Sequence, residues 1–207
     1  VSVFLNPTQF NDKKDLETYP SCLEDDLQAL KDLQVDAVFV PEFNEIYADD
    51  YRYKVSEGAL SKTLCGKHRP GHFDGVLTVV LKLFNIVRPT HAYFGEKDYQ
   101  QLQLIRGMVE SLFLDLEVIG VPTVRENSGL AMSSRNNKLS DQGRNLSSQI
   151  FKTLSASQSA NEAQKQLTQL GFDVDYVVDS GDRRFAAATL EGVRLIDNIP
   201  IERKGLK

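Results

Sequence analysis

Tryptophan is absent from this chain, cysteine occurs twice and histidine three times, and each scarcity removes a class of protein. Two cysteines far apart in sequence, Cys22 and Cys65, do not make a disulfide framework, and a reducing cytoplasm is the expected location. No apolar run has bilayer length. The longest, residues 76–87, is broken by Lys82, and no secretory leader pattern is seen, so no membrane partner is expected. A basic surplus is also lacking, with 24 Lys+Arg against 29 Asp+Glu and a net charge of −5. General binding to nucleic acid or acidic membrane, which needs clustered cations to displace counterions, is therefore excluded. An anionic ligand has to be met by a local basic cluster. There is no Gly-x-Ser-x-Gly elbow and no spaced Ser, His and Asp set, so covalent hydrolysis has no support. Internal repeats and low-complexity stretches are missing too.

What is present is ordinary for a soluble globular protein: 41% hydrophobic and 26% charged residues over 207 positions. That length suits one domain of about 150 residues and a smaller second one. Residues 1–5 and 35–40 read as buried strands, the second stopped by Pro41. Leu23, Leu27 and Leu30 recur at helical spacing after Pro20-Ser21. Residues 41–74 predict a short helix, an edge strand near 53–55 and a loop. Val76, Val79, Val80, Leu83, Phe84 and Val87 mark an amphipathic helix, residues 92–94 a strand, and Leu102, Ile105, Val109 and Leu112 another helix. A fourth strand covers 116–121 and ends at Pro122. This alternation predicts an α/β fold: a Rossmann-like parallel sheet with helices on both faces. Beyond Asn136 the texture changes to Ser- and Gln-rich helices over 140–156 and 161–170, then two small strands, 174–178 and 193–196, expected to pair. This is a smaller C-terminal α+β domain, with the division drawn at 1–124 and 125–207.

Open parallel sheets bind ligands beyond the carboxyl ends of their strands. Three loops qualify: residues 6–10, 95–101 and 122–135. In the second, Gly95 allows close approach of a ligand to the backbone, Lys97 is a mobile point charge suited to phosphate, and Gln100 and Gln101 open the next helix. In the third, Ala131-Met-Ser-Ser-Arg-Asn136 joins two hydroxyls, backbone N–H groups and a guanidinium. It reads either as a triphosphate grip or as an interdomain turn with a serine helix cap. Gly66-Lys-His-Arg-Pro-Gly71-His72 has Walker spacing but His72 in place of the lysine, and lacks the strand-loop-helix setting. Cys65, His68 and His72 have metal-like spacing with no fourth ligand nearby; the other reading is a basic, partly exposed loop over an anion. The amides of Asn6, Gln9 and Gln101 suit a small polar substrate, or else cap their loops.

Five segments in register, Asn6-Pro-Thr-Gln9-Phe10, Arg69-Pro-Gly-His72-Phe73, Phe94-Gly-Glu-Lys-Asp-Tyr-Gln-Gln101, Val121-Pro-Thr-Val-Arg125 and Gly129-Leu-Ala-Met-Ser-Ser-Arg-Asn136, resemble the pantothenate synthetase family. Arg194-Leu-Ile-Asp-Asn198 resembles the end of its second domain. The resemblance implies an ATP-dependent ligase joining pantoate to β-alanine through a pantoyl adenylate, with release of AMP and pyrophosphate. It implies ATP contacts at Gly95, Glu96, Lys97, Asp98, Val124, Met132, Ser133, Ser134 and Arg135. Lys97, Ser133, Ser134 and Arg135 would stabilise the charge that builds up during adenylyl transfer. Gln9 and Gln101 would hold pantoate, with Asn6, Arg69 and His72 around them. Mg²⁺ with the triphosphate and a homodimer in the cytoplasm are implied as well. The family carries a His-x-Gly-His-type motif upstream that this sequence, starting at Val1, does not show; His68, His72 and His91 do not match it, and an upstream segment is expected. The rival readings are a catalytically impaired nucleotide-binding or dimerisation module and an adenylyltransferase for a different acid.

Overall fold

The structure is a computed structural model that describes residues 1–202. Its residues gather into two compact units, one of Val1–Thr90 with Gly107–Leu116, the other of His91–Arg106 with the chain from Glu117 onward. The expected division at 124/125 falls inside the second unit.

The first unit holds the helices α1 (Lys13–Glu17), α2 (Leu23–Asp32), α3 (Phe43–Ile46), α4 (Leu64–His68) and α5 (His72–Val87). Helix α5 is its spine, because Phe73, Val76, Leu77, Val80 and Phe84 repeat at 3.6-residue spacing and are buried. It starts at His72, four residues before the expected start at Val76, after an N-cap glycine, Gly71, with φ of 81°. The 3-10 turn Pro7–Gln9 lies directly on it. A Cβ on Gly75 would come within 2.5 Å of the Thr8 carbonyl oxygen, so that approach requires glycine. From α3 and the residue after it, Ile46 and Tyr47 enter the core, and Lys82 of α5 donates to the Ile46 carbonyl at 2.9 Å and to Asp49 at 2.7 Å.

Three strand expectations fail here. Residues 1–5 and 35–40 form no ladder but one parallel bridge between Ser2 and Phe39, carried by Val3 N–H to Phe39 O and Phe39 N–H to Val1 O. Parallel pairing is the weaker kind per residue, and Pro41 has no N–H with which to extend it. No strand forms near 53–55 either. Val55 N–H is instead taken by the Thr78 hydroxyl at 2.9 Å.

The second unit begins with β1 (His91–Gly95), the residues of α6 (Tyr99–Ser111) as far as Arg106, and β2 (Glu117–Val121), with β1 and β2 parallel from His91 opposite Glu117 to Gly95 opposite Val121. The polar stretch after it folds as α7 (Asp141–Ser147), α8 (Gln149–Ala156) and α9 (Ala160–Gln169). Its serines are caps: Ser140 accepts from Gly143 N–H at 3.0 Å and Ser159 from Glu162 N–H at 3.2 Å. An antiparallel sheet follows, β3 (Asp173–Ser180), β4 (Arg183–Leu190) and β5 (Val193–Pro200), in that spatial order. The two strands expected to pair are therefore separated by a third. That middle strand is Arg-Arg-Phe-Ala-Ala-Ala-Thr-Leu, and three alanines carry little strand signal. Ala186 and Ala188 face the core with Ile150, Leu154, Leu167, Phe172, Val177 and Leu195, where small side chains let the other residues close in. The α/β class with a small antiparallel sheet domain stands.

Leu167 is fully buried in that cluster. Leu167→Ala is expected to lower unfolding free energy by about 2–5 kcal/mol in urea titration, as large-to-small core changes do. In the first unit, the Lys82 ammonium and Tyr53 N–H hold the Asp49 carboxyl down at about 2 against an ordinary 3.8. A lowered folded-state value gives stability that is whole above 3.8 and fades as pH falls toward 2. The melting-temperature gap between wild type and Asp49→Asn should thus shrink steadily from pH 5 downward; a constant gap would refute the pairing.

Candidate active site

Four of the expected site residues lie in the first unit. Asn6, 2% exposed, caps the Pro7–Gln9 turn, and its amide is committed at both ends. Nδ2 donates to Gly75 O at 3.2 Å and to Gln9 Oε1 at 3.4 Å, while Oδ1 accepts from the Thr8 and Tyr47 hydroxyls, each at 2.9 Å. Burial pushes the Tyr47 hydroxyl above its ordinary pKa and keeps it a donor. A primary amide has two donor hydrogens and two lone pairs. Asn6 thus has nothing left for a ligand, and it acts on the site by orienting the Gln9 amide.

His72 is buried, with Nδ1 2.7 Å from Gln9 O and Nε2 3.1 Å from Arg69 Nη1. A carbonyl only accepts and a guanidinium only donates, so the network assigns the neutral Nδ1–H tautomer. Arg69 Nη2 also donates to Gln9 O at 3.1 Å. Of residues 65–72, Cys65 is buried inside α4 and His72 is joined to the Gln9 backbone, while Lys67 and His68 are exposed and Arg69 partly so. Among the described residues no three His, Cys, Asp or Glu side chains gather as a metal site.

The remaining candidates lie in the second unit. Glu96–Asp98 forms a 3-10 turn between β1 and α6. Gly95 ends the strand, and Gln101 follows within the first turn of the helix, half-buried. Asn198 Nδ2 donates to Glu96 O at 2.8 Å and to Lys97 O at 3.0 Å. Arg183 Nη2 pairs with Glu96 Oε2 at 2.8 Å, its guanidinium stacked 3.9 Å above the Tyr99 ring. The Lys97 ammonium, by contrast, has no hydrogen-bond or ion-pair partner among the described residues.

The loop of residues 122–135 is pinched by the bridge between Arg125 and Ala131, with Met132 N–H on Val124 O at 3.0 Å. Arg125 grips Asp197 through two bonds of 2.6 and 2.9 Å and reaches Gly129 O at 3.1 Å. Ser133 caps the 3-10 turn Ser134–Lys138, accepting from Arg135 N–H at 3.3 Å, so the capping expectation is met by that serine. Asn136, buried, donates to Ala131 O and to Glu126 Oε1. Glu126 is held below the ordinary carboxylate range by Arg144, with Asn136 helping. Val124 and Met132 are exposed.

Sequence reasoning did not single out Tyr47, Arg183, Asp197 or Asn198 as site residues. A usable signal was Ile196-Asp-Asn-Ile199, two polar residues inside an apolar strand. Both are buried and fully engaged.

Over residues 1–200 the chain matches the family described as pantoate-beta-alanine ligase. The chain belongs to that family. The pantothenate synthetase of Bdellovibrio bacteriovorus is 59% identical over 201 residues, 97% of this chain and 80% of that protein. The enzyme of Legionella pneumophila strain Corby is 51% identical over 197 residues, 95% and 78%. Among solved structures, the pantoate-β-alanine ligase of Francisella tularensis, a complex with "Beta-gamma ATP" and β-alanine, superposes with a TM-score of 0.91 at 40% identity, covering 96% of this chain and 77% of that one. A pantothenate synthetase from Thermus thermophilus gives 0.90 at 39%, covering 96% and 82%. Membership in the pantoate-β-alanine ligases makes the chain a ligase that forms a C–N bond, in pantothenate biosynthesis from pantoate and β-alanine.

The Asn6 network is testable by an isosteric change. Asn6→Asp replaces two donors with lone pairs that face Gly75 O and Gln9 Oε1. It should cost about 2–3 kcal/mol in urea unfolding at pH 7, the range for leaving buried polar groups unsatisfied; wild-type stability would overturn the network.

Proposed function

We propose that this ligase activates pantoate with ATP, forming a pantoyl adenylate and pyrophosphate, and then lets the β-alanine amine attack the adenylate carbonyl to give pantothenate and AMP. The observation that carries this reading is the Lys97 ammonium, unpartnered among the described residues, on a turn whose backbone is held by Asn198. A carboxylate is a weak nucleophile toward a polyphosphate. The α-phosphorus is attacked at a useful rate when fixed cations meet the charge that develops on its oxygens and on the leaving pyrophosphate. Lys97 and Arg135 supply cations, and Ser133 and Ser134 hydroxyls. Backbone at Gly95, Glu96, Asp98, Val124 and Met132 completes the ATP contacts. Because Arg183 already takes the Glu96 carboxylate, Glu96 contributes through its main chain. The complex of the Francisella tularensis relative with an ATP-type ligand and β-alanine supports the substrate set.

The amides of Gln9 and Gln101 bond pantoate, which they fix without titrating. Arg69 and His72 act on it through the Gln9 backbone that both hold. No covalent enzyme intermediate is needed, and shielding of the mixed anhydride from water protects it until the amine arrives. Mg²⁺ fits this donor set: a hard cation that keeps most of its waters binds phosphate oxygens with one or two carboxylates, and the ATP turn offers Asp98. When bound it would neutralise triphosphate charge. We further propose a cytoplasmic homodimer, with residues 1–124 as the nucleotide- and substrate-binding domain and 125–207 as the smaller one.

AMP release by this chain tests the reading. Release should require ATP, pantoate and β-alanine together, and other small hydroxy acids should replace pantoate poorly. Lys97→Ala should lower it by about 100-fold or more, the scale for losing one preorganised electrostatic contact, with an unchanged melting curve. Near-normal turnover of Lys97→Ala would sink the assignment.

A further inference from the structure

The second unit contains a continuous set of bonds that no ligand contact requires. Asp197 and Asn198 are adjacent on β5, both at least 95% buried, and they point to opposite sides of the strand. On one side Asp197 receives the Arg125 fork, and so holds the base of the loop that carries residues 132–135. On the other, Asn198 donates to the Glu96 and Lys97 carbonyls, and so holds the turn that carries Lys97. Asp197 Oδ1 also accepts the Asn198 N–H at 2.8 Å, which ties the two sides together. Arg183, on the neighbouring β4, closes the set. It donates to Asn198 Oδ1 and to Glu96 Oε2 while lying flat on Tyr99.

Asn198 uses both Nδ2 hydrogens on carbonyls and Oδ1 on Arg183, and Asp197 spends both carboxylate oxygens on Arg125 and the Asn198 N–H, so neither is suited to contact a nucleotide. Arg183 uses one N–H of each terminal nitrogen on Asn198 and Glu96. What they fix is where the Lys97 Cα lies, and with it the reach of a side chain that has four rotatable bonds and no anchor of its own among the described residues.

We infer that Asn198 and Arg183 are positioning residues for Lys97: they hold the Glu96–Asp98 turn, and Asp197 holds the loop of residues 132–135 to the same strand, so that one β-strand sets the spacing of both groups of phosphate-binding residues. This rests on the role proposed above for Lys97. A misplacement of about 1 Å at a reacting centre can cost about 100-fold in rate, even when the residue changed lies away from the chemistry.

The test is a double-mutant cycle between Asn198→Ala and Lys97→Ala, read as pantoate-dependent exchange of pyrophosphate into ATP, in the longest form of the protein that supports turnover. Asn198→Ala alone should slow exchange by about 30- to 100-fold with the pantoate KM changed less than about twofold. In the Lys97→Ala background the same substitution should slow it by less than about threefold, because residues acting as one unit are not additive. Asn198→Asp, which keeps the shape and removes both donors, should behave like Asn198→Ala. If Asn198→Ala does not fold, Arg183→Gln, at a less buried site, takes its place in the cycle. Equal losses in the two backgrounds, or a wild-type rate for the single variant, would overturn the positioning role. A near-normal rate for Lys97→Ala would instead overturn the reading of Lys97 on which it rests.

Discussion

The ion pair between Arg125 and Asp197 is the constraint on which the second unit depends. Its carboxylate is almost wholly buried and its guanidinium largely so. Taking both charges out of water costs several kcal/mol each, and such pairs add little net stability compared with a well-packed apolar pair. What offsets the cost is full satisfaction: two parallel bonds from the guanidinium, a third contact from Asn198 N–H, and the Phe151 ring 3.8 Å from the Arg125 guanidinium carbon. What the pair supplies is therefore geometric. Residues 72 positions apart are fixed within bonding distance, and everything attached to either end inherits that precision. The bridge of Arg125 to Ala131 is one inheritance; the Asn198 bonds to Glu96 and Lys97 are the other.

The two units treat polar side chains alike, which separates residues that hold the site from residues free to meet a ligand. Asn6 and Asn198 are both nearly inaccessible asparagines, each with its donors on backbone or amide oxygens. His72 spends both ring nitrogens, one on a carbonyl and one on a guanidinium. A buried polar group that was half satisfied would cost more than an apolar one, so saturation is the condition for its being there at all. Lys97 shows the opposite pattern, partly exposed and unpartnered among the described residues. On that physical ground the two asparagines are frame, and Lys97 is the side chain left free to meet a ligand.

Legibility followed the same line. The helices α5 and α6 and the strands β1 and β2 were readable because their apolar residues carry the periodicity of one packed face. The loops at 95–101 and 129–136 were readable because local chemistry, a Gly beside charged and hydroxyl residues, is concentrated in a few positions. Strand β4 was not, since Ala186 and Ala188 fit the sheet through space-filling with α8 and α9 and not through intrinsic preference. Residues 1–5 and 35–40 have the texture of two buried strands, yet they make one bridge and none of them is buried, so an apolar run alone fixes neither burial nor the number of hydrogen bonds made.

The least legible element was the partnership of Arg125 with Asp197, and the reason is general. A charge pair leaves its mark in two places at once, and neither Val-Arg125 nor Ile-Asp197 is unusual alone. The partial signal lies in the strand: a parsimonious apolar strand would not place Asp and Asn between Ile196 and Ile199, since each must be desolvated. Two adjacent polar residues in a buried strand demand partners on both of its faces. Here the two faces hold two different loops, the Glu96–Asp98 turn and the loop closed by Arg125, which are the two to which we propose that phosphate binds. A strand that is costly to bury on both sides is thus the simplest way to keep two separate loops in fixed register, because the alternation of its side chains sets their separation before any ligand arrives.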